Sequence, residues 1–215
     1  MERNAKRCQS LEELTGRAEG IFAPQTAKAT QGCVVIQIQG DHNVAIVEQG
    51  GARLELDTVE RRRQRAKRFP SRLRLLRADA YVTDFVGRDD WLRQFVAWAE
   101  NPAVTFSARA LVGGPGAGKT RFALELLKVL RANQIPSGAD RLSPRAWCGG
   151  FVRVSQIRQL DSLSPLFEHR WPHPVLLVVD YAAAAGPALR TWLDRLAWPP
   201  EPHEHPVRVL LLERE

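Results

Sequence analysis

Residues 113–120 read Gly113-Gly114-Pro115-Gly116-Ala117-Gly118-Lys119-Thr120, and this stretch decides the fold class. It matches the pattern GxxxxGK[ST] at every fixed position. An apolar stretch at 108–112 precedes it, and a stretch with apolar residues at helical spacing, 120–134, follows it. A glycine-rich loop between a buried strand and a helix is the context that the pattern requires. The sequence therefore predicts a phosphate-binding loop in an α/β domain.

The residue types of this loop suit a polyphosphate. Backbone N–H groups can surround phosphate oxygens only where side chains are absent, which explains the glycines. The helix that follows would direct its positive end at the phosphates. Lys119 would reach the β- and γ-phosphates, and Thr120 would place its hydroxyl on Mg²⁺. We predict that residues 113–120 and Arg121 bind a nucleoside triphosphate, with ATP and Mg²⁺ as the cofactors; the alternative is a glycine-rich turn with a chance lysine.

A carboxylate for the metal is predicted at Asp180. It ends the run 175–179, which is made of valine and leucine only, as is typical of a parallel strand covered on both faces. An acid at the carboxyl end of such a strand lies on the ligand-binding edge of the sheet, where it can hold Mg²⁺. The other interpretation is an Asp that caps the next turn. Thr120 and Asp180 are thus the predicted metal residues, and Lys119 and Asp180 are predicted catalytic residues.

The order of apolar stretches predicts a three-layer α/β domain with about four parallel core strands. Short strand-like stretches at 108–112, 151–154, 175–179 and 207–212, each made mostly of apolar residues, alternate with helical patterns, which implies βαβ units. Alternating residues and turn clusters over 33–56 predict a small antiparallel meander ahead of this domain. We therefore divide the chain into a β-rich segment at 1–57, a basic linker at 58–80 and the α/β domain at 81–215.

The charge of the chain is concentrated in one segment. The formal net charge of the chain is +7. Residues 61–77 include nine positive residues and no acid. Such a run, Arg61 to Arg77, could bind nucleic-acid phosphates, although a solvated linker is the simpler interpretation. Three scattered cysteines favour a reducing compartment, and neither a secretory signal nor an apolar run long enough for a membrane span is visible. We expect a cytoplasmic protein without membrane contact.

Four stretches together resemble a known family. They are Phe85-Val86-Gly87-Arg88, the loop at 113–120, the residues VLLVVDYA at 175–182 and the residues VRVLLLER at 207–214. Over residues 85–214 the chain resembles the bacterial STAND ATPases, the signal-transduction class that includes the NACHT and AP-ATPase groups. The resemblance implies a P-loop NTPase with sheet order 5-1-4-3-2. It further implies that Val86, Gly87 and Arg88 contact the nucleotide near the adenine, and that Arg214 senses the γ-phosphate as a catalytic residue.

The resemblance also implies a function, which is an ATP- and Mg²⁺-dependent switch module in bacterial defence or signalling. Relatives with the Asp-Tyr-Ala pattern often have Glu next, where this chain has Ala183. ATP hydrolysis is therefore left open, and the spacing points to neither Glu168 nor Glu213 as a substitute. Two alternatives are a basic nucleic-acid-binding protein with an accessory P-loop and a non-hydrolysing fragment.

The family continues beyond the fourth core strand with a fifth strand, a helical lid, a winged helix and usually a repeat array. We expect this chain to be the front part of such a protein, without its C-terminal sensor region. The strand at 108–112 would then keep one open edge, which predicts self-association.

Overall fold

The structure, a computed structural model, describes residues 35–39, 44–49, 52–68, 72, 77–132, 147–159, 171, 173–199 and 202–215. Its strands are β1 (Val35–Gln39), β2 (Val44–Gln49), β3 (Ala52–Leu56), β4 (Phe106–Val112), β5 (Cys148–Val152), β6 (Val175–Asp180) and β7 (Val207–Glu213). Its helices are α1 (Val59–Lys67), α2 (Asp89–Ala99), α3 (Lys119–Ala132), α4 (Val154–Arg158) and α5 (Pro187–Ala197). Two short 3₁₀ helices lie at Ala78–Ala80 and Ala182–Ala185.

The core is a parallel sheet in the order β4-β7-β6-β5. β7 pairs with β4 on one side and with β6 on the other, and β5 pairs with the far side of β6. Numbered within the core, this order is 1-4-3-2, as predicted for these four strands. The α/β class and the parallel sheet are confirmed, and β4 is an edge strand among the described residues.

Helices cover both faces of the sheet, which explains why β6 is apolar at consecutive positions. Its odd-numbered residues pack on one face with Trp192 of α5. Its even-numbered apolar residues pack on the other face with Phe95 of α2 and Phe122 of α3. A strand enclosed in this way needs apolar side chains in both directions. Because all four strands are parallel, their carboxyl ends meet at one edge of the sheet.

Most predicted elements are found within a few residues, and β5 is the clearest difference. The sequence predicted a strand over 151–154, whereas β5 covers Cys148–Val152 and Val154 begins a helix. The sequence does not indicate the start of this strand, because Gly149 and Gly150 lie there and glycine has little strand propensity. At least one of them is needed for close approach, since a Cβ on Gly149 would overlap the carbonyl oxygen of Leu176.

The predicted meander is present, and its last strand packs on the α/β unit. β1, β2 and β3 form an antiparallel sheet in that order. Leu54 and Leu56 of β3 are fully buried in the same cluster as residues of β6 and β7. Asp57 then exchanges backbone hydrogen bonds of 2.9 and 3.0 Å with Phe151 of β5, which forms an antiparallel bridge. Residues 1–34 of the predicted β-rich segment lie outside the described residues.

The segment predicted as a basic linker begins with helix α1. Thr58 precedes it, and its hydroxyl accepts from the N–H of Arg61 at 3.4 Å. The guanidinium of Arg62 lies 4.0 Å from the ring centroid of Phe151, and Arg131 of α3 donates to Glu60 at 2.7 Å. The described part of this segment therefore contacts the α/β unit directly. No helix among the described residues has the length and apolar character needed to cross a membrane.

Candidate functional site

The loop at 113–120 joins the end of β4 to the start of α3. The N–H of Phe122 donates to the carbonyl of Gly118 at 2.8 Å, so helical hydrogen bonding starts inside the loop. Gly116 and Gly118 have φ of +73° and +76°, a region that residues with a Cβ rarely adopt. The backbone conformation at these two positions therefore favours glycine, independently of any role in ligand binding.

Lys119 and Thr120, the first residues of α3, bring a cation and a hydroxyl to this loop. The ammonium group of Lys119 donates to the carbonyls of Gly113 and Gly114, the latter at 2.8 Å. The hydroxyl of Thr120 donates to a carboxylate oxygen of Asp180 at 3.0 Å. Since Asp180 ends β6, the sheet brings together three side chains that the sequence predicted for one site.

The end of β7 adds two charged residues to this edge. The N–H of Ala183 donates to Oε2 of Glu213 at 2.5 Å, and the N–H of Arg214 donates to Oε1 at 2.8 Å. These two bonds lower the pKa of Glu213, the first more than the second, because they stabilise the ionised carboxylate. The guanidinium of Arg214 donates to the Tyr181 hydroxyl at 2.9 Å. Glu168, the other acid considered from the sequence, lies outside the described residues.

A cavity of about 610 Å³ lies over these groups, a size typical of small-molecule sites. One wall is the loop from Pro115 to Arg121, and the floor is formed by strand ends. The described residues that line the cavity away from the loop are Arg62, Arg77, Ala78, Asp79, Val82, Thr83, Asp180, Tyr181, Leu212, Glu213 and Arg214. The sequence assigned 58–80 to a linker and did not predict its part in this wall.

An ion pair with a buried carboxylate contributes to the cavity lining outside the loop. Arg77 donates to both carboxylate oxygens of Asp79 at 2.9 and 2.8 Å, and Asp79 is 2% exposed. Such a bidentate pair fixes the orientation of both side chains. Arg121, a predicted binding residue, lines the cavity and stacks its guanidinium 3.9 Å from the ring of Tyr81. Burial raises the pKa of Tyr81 to about 12.

The stretch Val86-Gly87-Arg88 occupies a different position from the cavity lining. Val86 is 77% exposed, and Gly87 has φ of +77°, so the chain turns there before α2 begins. Arg88 donates to the carbonyl of Ala117 at 2.5 Å. Its guanidinium also lies close to Gly118, because a Cβ added to that glycine would be 3.5 Å from Nη1 of Arg88. Arg88 thus contacts the loop, and none of Val86, Gly87 and Arg88 is among the described residues that line the cavity.

Several arginines of the basic run at 61–77 pair with acids that lie just before or just after it in the sequence. Arg65 donates to both carboxylate oxygens of Asp57 at 3.1 Å. Arg61 pairs with Glu55, and Arg62 lies 3.8 Å from Asp57 and from Asp79. The run is therefore partly neutralised by the same chain, which its composition alone did not reveal.

The oxygen atoms of Thr120 and Asp180 fit the preference of Mg²⁺ for hard oxygen ligands. Among the described residues, no group of three or more His, Cys, Asp or Glu side chains could hold a metal ion. An ion at this place would complete its shell with phosphate oxygens and water, as Mg²⁺ commonly does. The chemistry of the site therefore suits a cation that arrives with a polyphosphate.

Comparisons of the chain with protein-family models, with curated proteins and with solved structures found no match.

Proposed function

We propose that the chain is a nucleotide-controlled switch module of a STAND-like P-loop ATPase, which binds ATP with Mg²⁺ on the loop 113–120. The observation that carries the proposal is the hydrogen bond between Thr120 and Asp180 beside this loop. It brings the hydroxyl and the carboxylate of two separate sequence motifs within 3.0 Å of each other at a helix N-terminus.

The electrostatics of the loop support a polyphosphate ligand. The N-terminus of α3 carries roughly half a positive charge, and Lys119 adds a full one at the same place. Two loop carbonyls now accept from the ammonium group; a phosphate oxygen would compete with them as a charged and therefore stronger acceptor. Bound Mg²⁺ would neutralise negative charge on the phosphates.

Arg214 gives the site a means to distinguish a triphosphate from a diphosphate. Its guanidinium lies within the cavity lining, 5.0 Å from the ring centroid of Tyr181, and the residue follows directly on β7. A γ-phosphate would attract this guanidinium away from the tyrosine hydroxyl. Because Arg214 and Tyr181 follow different strands, such an exchange can couple the nucleotide state to the conformation of the 3₁₀ helix at 182–185.

A nucleic-acid-binding function has less support from the same structure. The acids at Glu55, Asp57 and Asp79 each pair with an arginine of the basic run, which reduces the positive charge available to a phosphate backbone. If nucleic acid were nonetheless the ligand, its affinity would fall steeply with salt. Titration with single- and double-stranded DNA and RNA at two salt concentrations tests this alternative.

The test of the proposal is calorimetry with ATP, ADP and GTP in the presence and absence of Mg²⁺. We predict that Lys119→Ala weakens ATP binding by about 10- to 100-fold, since a charge-assisted hydrogen bond contributes about 1.5–3 kcal/mol. Lys128→Ala is the matched control, because Lys128 lies on the same helix with a 62% exposed side chain. Equal ATP affinity in both variants, or no binding by the wild type, would contradict the proposal.

A further inference from the structure

Glu213 lies between the two strand ends that carry the proposed phosphate and metal groups. It pairs with Val112, the last residue of β4 before the loop, and its carbonyl accepts from the N–H of Gly113 at 3.3 Å. The preceding residue, Leu212, pairs with Asp180. A parallel sheet therefore brings the side chain of Glu213 to the edge where the terminal phosphate of a bound nucleotide would lie.

The carboxylate of Glu213 is oriented by the backbone. It accepts from the N–H groups of Ala183 and Arg214 at 2.5 and 2.8 Å, one on each oxygen. Each carboxylate oxygen can accept about two hydrogen bonds, so each retains the capacity to accept from a water molecule. The lowered pKa of Glu213 keeps the group ionised at neutral pH.

The other acid at this edge has a different set of partners. Asp180 accepts from the hydroxyl of Thr120 at 3.0 Å and from the N–H of Tyr181 at 3.1 Å. Its carboxylate is thus directed to the hydroxyl that shares the proposed metal site. The hydrogen bonds of Glu213 run instead to the segments after β6 and β7, so the two acids can serve separate roles.

We infer that Glu213 is the catalytic carboxylate that orients and deprotonates the attacking water in ATP hydrolysis. This inference rests on the proposed function, because it requires ATP on the loop 113–120. The end of β7 places Glu213 at this edge of the sheet. No local sequence pattern favoured Glu213 over other acids of the chain. The carboxylate of Glu213, from the strand next to β6, accepts from the N–H of Ala183.

Hydrolysis at this site transfers the γ-phosphoryl group to water. The oxygen of the oriented water forms a bond to the γ-phosphorus, and the bond between that phosphorus and the β–γ bridging oxygen breaks with its electron pair on ADP. The proton of the water passes to Glu213 and then to solvent or to phosphate. Orientation of the water is a main part of this role, because catalysis of phosphoryl transfer depends chiefly on positioning and electrostatic stabilisation.

The experiment compares Glu213→Gln with the wild type, each as the full 215-residue chain. The two measurements are single-turnover phosphate release and calorimetry of ATP binding. Glutamine preserves the size of the side chain and can keep one of the two backbone hydrogen bonds, but it cannot take the proton. We expect ATP affinity within about twofold of wild type and a hydrolysis rate lower by about 10²- to 10⁴-fold, the usual contribution of a general base. Glu215→Gln, an exposed change two residues away, should hydrolyse ATP at the wild-type rate.

A second variant moves the carboxylate from one strand end to the other. In Glu213→Ala combined with Ala183→Glu, the new side chain starts at the residue whose N–H now holds the carboxylate. We expect its hydrolysis rate to exceed that of Glu213→Ala by at least about tenfold, which a purely structural role of Glu213 would not produce.

The possible outcomes separate the role of Glu213 from the proposed function. Wild type that binds ATP but does not hydrolyse it, or Glu213→Gln that binds and hydrolyses ATP like wild type, overturns the role of Glu213 and leaves the switch proposal standing. Wild type that fails to bind ATP overturns both.

Discussion

At the scale of single residues, Arg208 places a positive charge inside the protein. Its side chain is fully buried, and burial lowers its pKa from the ordinary value, because desolvation disfavours the charged form. The negative end of α2 and the turn after it supply compensating partial charges. The guanidinium donates to six backbone carbonyls of the described residues, which belong to Trp98, Ala99, Asn101, Val104, Thr105 and Val207.

We predict that Arg208→Met destabilises the protein by about 3 kcal/mol, because buried carbonyls lose their donor while the packed volume is roughly kept. For a chain of this length, that corresponds to a fall in the unfolding midpoint of roughly 10 °C. Thermal unfolding followed by circular dichroism measures the change.

Arg190→Met is the control for Arg208→Met. The Arg190 side chain is 90% exposed on α5, and a surface change of this kind alters stability by about 0.5 kcal/mol or less. If both variants unfold at the same temperature, the carbonyl cluster contributes nothing and the explanation given for Arg208 is wrong.

At the scale of elements, β5 shows how backbone approach can override strand propensity. A Cβ on Gly149 would overlap the carbonyl oxygen of Leu176 and lie 2.9 Å from Cδ2 of Leu127. The first contact involves the backbone of β6 and the second a side chain of α3, so relief of the overlap would disturb the sheet or the helix above it. Glycine at this position therefore lets β5 lie close to β6 beneath α3.

We predict that Gly149→Ala destabilises the protein by about 2–3 kcal/mol, in the range of overpacked core substitutions. Urea unfolding without nucleotide measures the change. Gly114→Ala is the control, because a Cβ there meets nothing within 4 Å and its φ is not positive. A Gly149→Ala variant as stable as Gly114→Ala would show that β5 has room that the distances do not predict.

The elements also indicate which parts of the site the sequence could predict. Lys119 and Thr120 lie in one contiguous motif, and Asp180 ends a run whose apolar character identifies it as a buried strand. Local pattern was sufficient to predict that these three residues lie at one cavity. The role proposed for Glu213 depends on its contact with Ala183, which is 30 residues away on another segment. No local pattern contains that contact, so Glu213 stayed undecided at the level of sequence.

The same reasoning explains the fold. The βαβ pattern predicted a parallel sheet and the resemblance alone implied its strand order, while neither predicted the attachment of the meander. Leu54 and Leu56 alternate with polar residues in a way that predicts a strand with one buried face, but not which surface covers that face. The structure places them against the α/β core, and it places Arg77 and Asp79 on the cavity wall, where a linker had been predicted.

At the scale of the whole molecule, the end of the meander is joined to the central sheet through a shared core. Asp57, which follows β3, forms an antiparallel β-bridge with Phe151 of β5. These contacts predict that damage to β3 is transmitted to the sheet. The preceding residue, Leu56, is fully buried in a cluster that includes residues of β6 and α5, namely Leu177, Val179 and Trp192.

We predict that Leu56→Ala destabilises the central sheet itself by about 2–5 kcal/mol, the usual cost of a leucine truncation in a core. Hydrogen exchange of the β6 amides, followed by mass spectrometry, should show a loss of protection of that size. Val104→Ala is the control, because Val104 is 41% exposed. Unchanged protection of β6 in Leu56→Ala would mean that the meander folds apart from the α/β domain.

The anchoring of Arg208 has a consequence at the opposite end of the same strand. Arg208 and Glu213 are five residues apart on β7, which at about 3.3 Å per residue separates them by about 17 Å. A strand held between two partners cannot slip by one residue without reversing the direction of every side chain. The length of β7 therefore sets how far the Glu213 carboxylate extends past the sheet. Deleting one residue between the two would retract that carboxylate by about 3.3 Å and turn it to the opposite face of the sheet, while the guanidinium stayed among its carbonyls.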